Sequence, residues 1–303
     1  MSEGRSADRK LQEHCVSITN TELDNQEWSL IIQPKRAWWD LRLGQVWCYR
    51  DLVLLFVRRD FVSYYKQTIL GPLWFLIQPL LTTLTFTVIF GNIAALPTDG
   101  LPQFLFYLSG TVIWSYFASC LTKTSETFIA NANIFGKVYF PRLVMPISVL
   151  LSNLITFAIQ FGLFLGFLVY FIAMGSAVQV TWWVALLPVL LILMAGLGLG
   201  FGIIISSLTT KYRDLRFLVT FGVQLWMYAT PIIYPVSSIP ERFQRLILLN
   251  PITPVVEAFR FAFLGTGAFS WGMLAYSFGF MIVVVLTGII IFNRVETTFM
   301  DTV

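Results

Sequence analysis

Long apolar stretches, separated by short polar segments, make up most of the chain. A helix needs about 20 predominantly apolar residues to cross the hydrocarbon core of a bilayer. Six stretches approach or exceed that length: Gly71–Gly91, Phe104–Leu121, Leu143–Ala173, Trp182–Leu208, Phe217–Ile233 and Met273–Phe292. The third and fourth belong to one uncharged run, which is too long for a single helix. The pattern predicts an all-α integral membrane protein with six transmembrane helices.

The segment between the fifth and sixth predicted spans is too apolar for a solvated loop, yet it is interrupted by proline. Pro235, Pro240, Pro251 and Pro254 divide it into two short segments, Glu241–Leu249 and Val255–Leu264. At a rise of about 1.5 Å per residue, each covers roughly half of the hydrocarbon thickness. Broken backbone is tolerated at membrane depth only inside protein or beside a water-filled cavity. We therefore predict a re-entrant helical hairpin on the outer side of the membrane.

Glu257 and Arg260 lie three residues apart in the second of these segments. On a helix they share a face and can pair. A charged pair is costly in lipid, so it should face the protein interior. Together with Pro251 and Pro254, these residues are the candidate outer gate of a polar pathway. The alternative is a pair that only locks the hairpin together.

Composition and charge agree with the membrane assignment and give it an orientation. Hydrophobic residues make up 57% of the 303 positions and charged residues only 12%, whereas soluble domains carry about 25% charged residues. Ten of the 20 Lys and Arg residues precede the first predicted span, and only Arg242, Arg245 and Arg260 lie opposite the termini. Because basic residues concentrate on the cytoplasmic side, both termini are predicted to be cytoplasmic. The net charge of +4 reflects this bias and does not indicate nucleic-acid binding.

The N-terminal region divides into two parts before the spans begin. Residues 1–36 are mostly polar and are predicted to form a mobile cytoplasmic tail. Residues 37–68 interleave aromatic and charged side chains, which is typical of an amphipathic helix lying in the membrane interface. Such a helix is either a simple anchor or an anchor that also touches a cytoplasmic partner. Residues 69–303 would then form the six-span domain.

Two cytoplasmic loops contain candidate contacts for a motor protein. The loop after the second span is longer than a helix bundle needs, and Ser125–Ile134 is predicted to form a short helix in it. Its candidate coupling residues are Ser125, Glu126, Phe128 and Ile129. The loop after the fourth span adds Arg213 and Asp214 as a second candidate region. Plain solvated connections are the alternative for both loops.

Several sequence segments together resemble the permease subunit of type-2 class ABC exporters, in the branch that exports lipid-linked polysaccharides such as O-antigen, capsule and teichoic acid. These segments are Tyr64–Leu80 (YYKQTILGPLWFLIQPL), Gly136–Ser148 (GKVYFPRLVMPIS), Lys211–Phe217 (KYRDLRF), Ala229–Pro235 (ATPIIYP), Leu249–Arg260 (LNPITPVVEAFR) and Val295–Val303 (VETTFMDTV). The likeness covers Ala37 to the C-terminus. It implies a homodimer in the bacterial inner membrane with two ATP-binding-cassette ATPase subunits on its cytoplasmic face. It also implies an interface helix before span one, a coupling helix after span two and outer gate helices at Glu241–Leu264.

No ATPase motif of the form G-x-x-x-x-G-K-[ST] occurs in the sequence. A transport subunit without enzymatic activity is therefore expected, with no cofactor in this chain and with ATP and Mg bound by the partner ATPase. No metal-ligand or nucleophile–base constellation is visible, which disfavours an integral membrane enzyme. A scaffolding protein would leave the charged hairpin unexplained. Within transport, the alternative is the same architecture exporting a lipid or a small hydrophobic compound.

A sugar chain offers hydroxyls and weakly polar C–H faces, which suit aromatic and hydroxyl-bearing side chains. The candidates for the substrate pathway are Trp74, Phe75, Tyr107, Thr111, Trp114, Ser115, Trp226 and Tyr228. Thr111, Ser115 and Ser119 follow one another at intervals of four and share one helical face. Aromatic residues also form the ordinary interface belt, and small polar residues also pack membrane helices together. Both packing interpretations stay open beside the pathway interpretation.

Overall fold

The computed structural model of the protein describes residues 47–66, 69–131, 134, 140–209 and 214–299. Helices are the regular secondary structure of these residues, and their bounds are α1 Arg50–Lys66, α2 Trp74–Phe86, α3 Gln103–Ser125, α4 Thr127–Ala130, α5 Val144–Ala173, α6 Leu187–Thr209, α7 Leu215–Tyr228, α8 Glu241–Leu248, α9 Thr253–Leu264 and α10 Trp271–Phe299. Short 3₁₀ turns precede α2, α6 and α8, and a π-helical segment, Thr87–Ile93, extends α2. The predicted tail, residues 1–36, lies outside the described residues.

Five helical segments are long and apolar enough to cross a membrane: Gly71–Ile93, Gln103–Ser125, Val144–Ala173, Trp182–Thr209 and Trp271–Phe292. They coincide with the first four predicted spans and the last one, which are therefore confirmed as helices of spanning length. Between α7 and α10, the short helices α8 and α9 meet at an angle of 99° across their break. This confirms the predicted proline-broken pair, and the protein is an all-α membrane protein.

The fifth predicted span, Phe217–Ile233, is shorter than the sequence pattern indicated. Its helix, α7, ends at Tyr228 after 14 residues, which is about 21 Å of helix. The helix ends there because Pro231 cannot donate a backbone hydrogen bond and restricts the residue before it. Residues 229–234 form turns instead. The predicted C-terminal end of this span, Ile233, was therefore wrong, because the helix ends at Tyr228.

The short helix that was predicted over Ser125–Ile134 is also smaller than expected. Ser125 is the last residue of α3, Glu126 is a turn, and α4 covers only Thr127–Ala130. We call residues 125–130 the coupling turn. The backbone N–H of Ile134 donates to the Asn131 carbonyl at 2.9 Å, so the chain turns again shortly after α4.

α3 is the central helix of the fold. In the apolar 18-residue stretch of this span, 78% is buried within the chain. The corresponding buried share is 22% for the spans that contain α2 and α5. α6 packs closely on α3. A Cβ atom added at Gly198 would lie 2.7 Å from the nearest side-chain carbon of α3, and one added at Gly202 would lie 2.6 Å from it. Gly196 and Gly200 allow an equally close approach between α6 and α10. Small residues at such spacing allow membrane helices to approach closely, and they fix α3, α6 and α10 as one core.

α1 attaches to this core at the end where α5 begins and α6 ends. A hydrophobic cluster joins them, and its buried members are Val53, Phe56, Val57, Phe128, Phe140, Val144, Met145, Ile203 and Phe292. The helical part of the predicted interface helix is confirmed for residues 50–66, while residues 37–46 and 67–68 lie outside the described residues. The same cluster contains Phe128 of the coupling turn, so α1 and that turn share one packing unit.

Candidate functional site

The predicted pair in α9 forms in the structure, and it is almost completely enclosed. Arg260 Nη1 lies 3.5 Å from Glu257 Oε1, and the two side chains are only 2% and 5% exposed. Both residues lie one turn apart on the same face of the helix, as their spacing predicted. The pairing and its interior position are confirmed.

The shortest hydrogen bonds of Arg260 go to backbone oxygens rather than to Glu257. Its Nη1 donates to the Pro231 carbonyl at 2.6 Å and its Nη2 to the Ile232 carbonyl at 2.7 Å. These carbonyls belong to the turns that end α7. The guanidinium carbon also lies 3.8 Å from the centre of the Phe106 ring on α3, within the range of a cation–π contact. Arg260 therefore joins α9 to α3 and to the end of α7.

Glu257 holds a different part of the chain with its second oxygen. Its Oε2 accepts a hydrogen bond from the backbone N–H of Ala268 at 3.0 Å, in the loop that leads into α10. Gly267, which precedes that N–H, has φ +125°, a conformation that other residues rarely adopt. We call Glu257 and Arg260 the α9 lock. Both side chains are almost fully buried and hold neighbouring segments of the fold, which supports the locking alternative over a pair that lines a pathway.

The two predicted gate prolines define the bend rather than contact the lock. Pro251 lies in the turn between α8 and α9, and Pro254 lies in the first turn of α9, where a helix does not need its N–H. Asn250 fixes the bend: its Oδ1 accepts from Trp226 Nε1 and from the N–H of Ile252, both at 3.2 Å. Its Nδ2 donates to Thr230 Oγ1 at 2.9 Å. Sequence reasoning missed Asn250, although the Asn–Pro dipeptide is a known turn signal.

The coupling turn connects several helices at the opposite end of the molecule. The Glu126 carboxylate pairs with the Arg216 guanidinium in the first turn of α7. The Ser125 carbonyl accepts a hydrogen bond from Thr209 Oγ1, at the end of α6, at 3.1 Å. Asp214 lies just before α7, whereas Arg213 lies outside the described residues. Sequence reasoning did not select Arg216, because no spacing signal relates it to Glu126.

Phe128 and Ile129 occupy different environments although they are adjacent. Phe128 is only 6% exposed, and its ring centre lies 4.9 Å from that of Phe292 on α10. Ile129 is 39% exposed. Phe128 therefore anchors the turn in the hydrophobic cluster, whereas Ile129 is accessible.

The candidate pathway residues do not form one continuous surface within the chain. Tyr107, Thr111 and Trp114 are buried. The Thr111 hydroxyl lies 3.2 Å from the Thr83 hydroxyl of α2, and Ser115 donates to Gln160 of α5 at 2.6 Å. These bonds between neighbouring helices support the packing interpretation for the polar stripe of α3.

The aromatic candidates outside α3 are more accessible. Trp74 and Tyr228 are 47% and 44% exposed. Phe75 lines a cavity beside α1. Trp226 is half-buried and packs edge-on against Phe117, with its N–H bound to Asn250. Trp74 and Tyr228 thus remain the candidates that a substrate could reach, and the role of the whole set stays a prediction.

α7 differs from the other long helices in having no buried side chain. Its most exposed hydrophobic side chains are Phe217, Leu218, Phe221, Leu225 and Tyr228. α2 and the segments that flank it, Gly71–Leu73 and Thr87–Ile93, have a similar exposed face. It includes Leu73, Trp74, Leu81, Leu84 and Val88. Apolar area of this extent must be covered by lipid or by another protein surface.

Comparisons with known proteins identify the class. The family model for the ABC-2 type transporter matches residues 51–264, most of the chain. The O-antigen export system permease protein RfbA of Klebsiella pneumoniae is 32% identical over 252 residues, which cover 83% of this chain and 94% of that protein. The RfbA protein of Myxococcus xanthus is 27% identical over 72% of this chain and 82% of its own. The polysialic acid transport protein KpsM of Escherichia coli is 26% identical over 75% of this chain and 86% of its own.

The chain belongs to the ABC-2 type transporter family, as the sequence segments predicted. Permease subunits of this family are the transmembrane component of the exporter, and the ATPase is a separate subunit. The protein is therefore a multi-pass inner-membrane transport subunit that works with an ATP-binding-cassette partner.

Proposed function

We propose that the chain is the permease subunit of an ATP-driven exporter that moves a lipid-linked polysaccharide, of the O-antigen, capsule or teichoic-acid type, out of the cytoplasm. The observation that carries this proposal is the similarity to an O-antigen export permease along 94% of that protein's length. Both termini lie in the cytoplasm, where the coupling turn meets the ATPase. ATP and Mg are bound by the partner subunits.

The working unit is a homodimer with two ATPase subunits. Its support is the exposed apolar faces of α2 and α7, because a second copy of the chain would cover them and enclose a passage between the protomers. Trp74 and Tyr228 lie on these faces, and their rings suit the weakly polar faces of sugars. The passage would therefore form between protomers and not inside one.

Energy enters through the coupling turn. Ile129 offers the exposed surface for the ATPase, and Phe128 keeps the turn attached to α1 and α10. The Glu126–Arg216 pair connects the turn to α7, a helix without a buried side chain. A displacement of the turn would therefore be passed to α7 and to the ends of α3 and α6 that the turn contacts.

Reconstitution of the chain with its ATPase in proteoliposomes tests the proposed function. The expected result is ATP-dependent appearance of lipid-linked polysaccharide on the side away from the ATPase, where an added glycosidase can cleave it. An ATPase variant that cannot hydrolyse ATP is the control. The alternative cargo, a lipid or a small hydrophobic compound, is tested with a fluorescent phospholipid. Movement of the phospholipid without movement of the polysaccharide would refute the proposal.

A further inference from the structure

A polar cavity of about 210 Å³ lies between α1, α2, α3 and α5. It is separate from both the α9 lock and the coupling turn. Its polar lining consists of Asp60 and Ser63 from α1, Lys123 from α3, and Ser152 and Thr156 from α5, with Phe75 of α2 beside them. The lining residues on α5 run from Val149 to Thr156, which is about 10 Å of that helix. Polar side chains recessed between apolar helices favour a polar occupant.

The cavity offers hydrogen-bond donors to a negatively charged group. Lys123 Nζ is held beside it by a hydrogen bond to Asn153 Oδ1 at 2.8 Å. Lys123 lies in the last turn of α3, just beyond the predicted span that ends at Leu121. The Ser152 hydroxyl is buried and has no hydrogen-bond partner among the described residues. A buried hydroxyl without a partner is destabilising, and a bound oxygen acceptor would satisfy it.

Asp60 does not cancel this preference for an anion. Its Oδ1 accepts from Arg59 Nη2 at 2.8 Å and from Arg59 Nε at 3.0 Å, so a neighbouring guanidinium compensates its charge. Ser63 is held by the Asp60 carbonyl, to which its hydroxyl donates at 2.7 Å. The ammonium of Lys123 is therefore the charge that defines the inner part of the cavity.

The surface next to the cavity is suited to acyl chains. Leu151, Leu154 and Ile155 of α5 are each between 36% and 39% exposed. They lie on the face of the helix next to the one that carries the cavity residues Ser152 and Thr156. A ligand with a phosphate at one end and hydrocarbon at the other would satisfy both surfaces at once. A free phosphate would leave the apolar surface uncovered.

We propose that this cavity binds the phosphate of a membrane phospholipid, with Lys123 and Ser152 as its donors and the exposed face of α5 against its acyl chains. The lipid comes from the leaflet on the side of α1. It would join α1 to α3 and α5, next to the cluster that holds the coupling turn. The same phosphate chemistry is present in a lipid-linked pyrophosphate and in inorganic phosphate, so the test separates these sources.

The test is native mass spectrometry of the chain released from nanodiscs that contain phosphatidylglycerol or diacylglycerol. We expect phosphatidylglycerol to be retained on the wild-type chain and diacylglycerol to be lost. Ser152→Leu fills the cavity and should reduce retention at least tenfold. Ala173→Leu is the matched control, because residue 173 is exposed and lies at the far end of α5, about 26 Å along the helix from Thr156. Lys123→Gln and Ser152→Ala should each reduce retention several-fold.

The proposal is overturned if Ser152→Leu, Ser152→Ala and Lys123→Gln all retain phosphatidylglycerol as the control does. Equal retention of diacylglycerol would also overturn it, since only the acyl surface would then be used. Competition by inorganic phosphate alone would assign the cavity to a soluble anion. Displacement of phosphatidylglycerol by trace amounts of a polyprenyl pyrophosphate would assign it to the export substrate. Unfolding temperatures of the variants, compared with that of Ala173→Leu, separate lost lipid from lost fold.

Discussion

Two Arg–Glu pairs mark opposite ends of the protein, and they differ in burial rather than in chemistry. In the α9 lock, Glu257 and Arg260 are 5% and 2% exposed; in the pair at the coupling turn, Glu126 and Arg216 are 30% and 56% exposed. Loss of one partner from a buried pair costs about 3–5 kcal/mol, whereas an exposed pair contributes about 0–1 kcal/mol. The same two residue types therefore form a rigid connection at one end of the protein and an adjustable connection at the other.

The largest expected effect comes from breaking the α9 lock. Arg260→Ala leaves Glu257 buried without its cation and removes both hydrogen bonds to the end of α7. We expect a loss of about 3–5 kcal/mol of stability, measured by thermal unfolding in detergent and by the amount of protein in the membrane. Arg242→Ala on the exposed face of α8 is the matched control and should behave like wild type. Wild-type stability of Arg260→Ala would contradict the lock.

Exchanging the two charges sharpens the same point. In Glu257→Arg with Arg260→Glu, a carboxylate would face the carbonyl oxygens of Pro231 and Ile232, which cannot donate to it. The exchange should therefore recover none of the stability that the single substitutions lose. A recovery to near wild-type unfolding temperature would mean that the 3.5 Å ion pair, and not the backbone contacts, carries the joint.

At the coupling turn, adjacent residues should respond differently. Phe128→Ala opens a cavity between α4 and α10 and should cost on the order of 3 kcal/mol. Ile129→Asp changes an exposed position and should alter stability by less than about 0.5 kcal/mol. Ile129→Asp should instead reduce the amount of ATPase that co-purifies with the permease. If Ile129→Asp retains the ATPase fully, Ile129 does not belong to the interface between the permease and the ATPase.

Some features of the fold and of the two pairs can be predicted from the sequence, and others cannot. Span positions follow from apolar length, and the pairing of Glu257 with Arg260 follows from a spacing of three. The partners Pro231, Ile232 and Ala268 could not be predicted, because they contribute backbone atoms that carry no residue signature. The early end of α7 escaped prediction for a related reason: its apolar run continues past the residue where the chain turns.

The coupling turn was less predictable than the lock. Glu126 was selected from its loop, but its partner Arg216 is 90 positions away, and only the packing of α3 against α6 and α7 brings the two together. The burial of Phe128 also depends on α1 and α10, which are far apart in sequence. Polar stripes such as Thr111 and Ser115 are ambiguous in principle, because hydroxyl groups serve a pathway and a helix interface equally well.

Breaking the exposed pair should have only a small effect on stability. Arg216→Ala should cost at most about 1 kcal/mol, because both side chains are partly hydrated before and after the change. If the pair transmits movement from the turn to α7, the polysaccharide exported per ATP hydrolysed should fall several-fold. Glu126→Ala should give the same deficit, and the double variant should not add to it.

The most direct test of these two roles measures unfolding temperature and polysaccharide exported per ATP for Arg260→Ala and Arg216→Ala in the same reconstituted complex. The predicted result is a strongly lowered unfolding temperature for Arg260→Ala, and a nearly unchanged one for Arg216→Ala together with a several-fold lower yield of export per ATP. The account is contradicted if Arg216→Ala unfolds as early as Arg260→Ala, or if it keeps the wild-type yield.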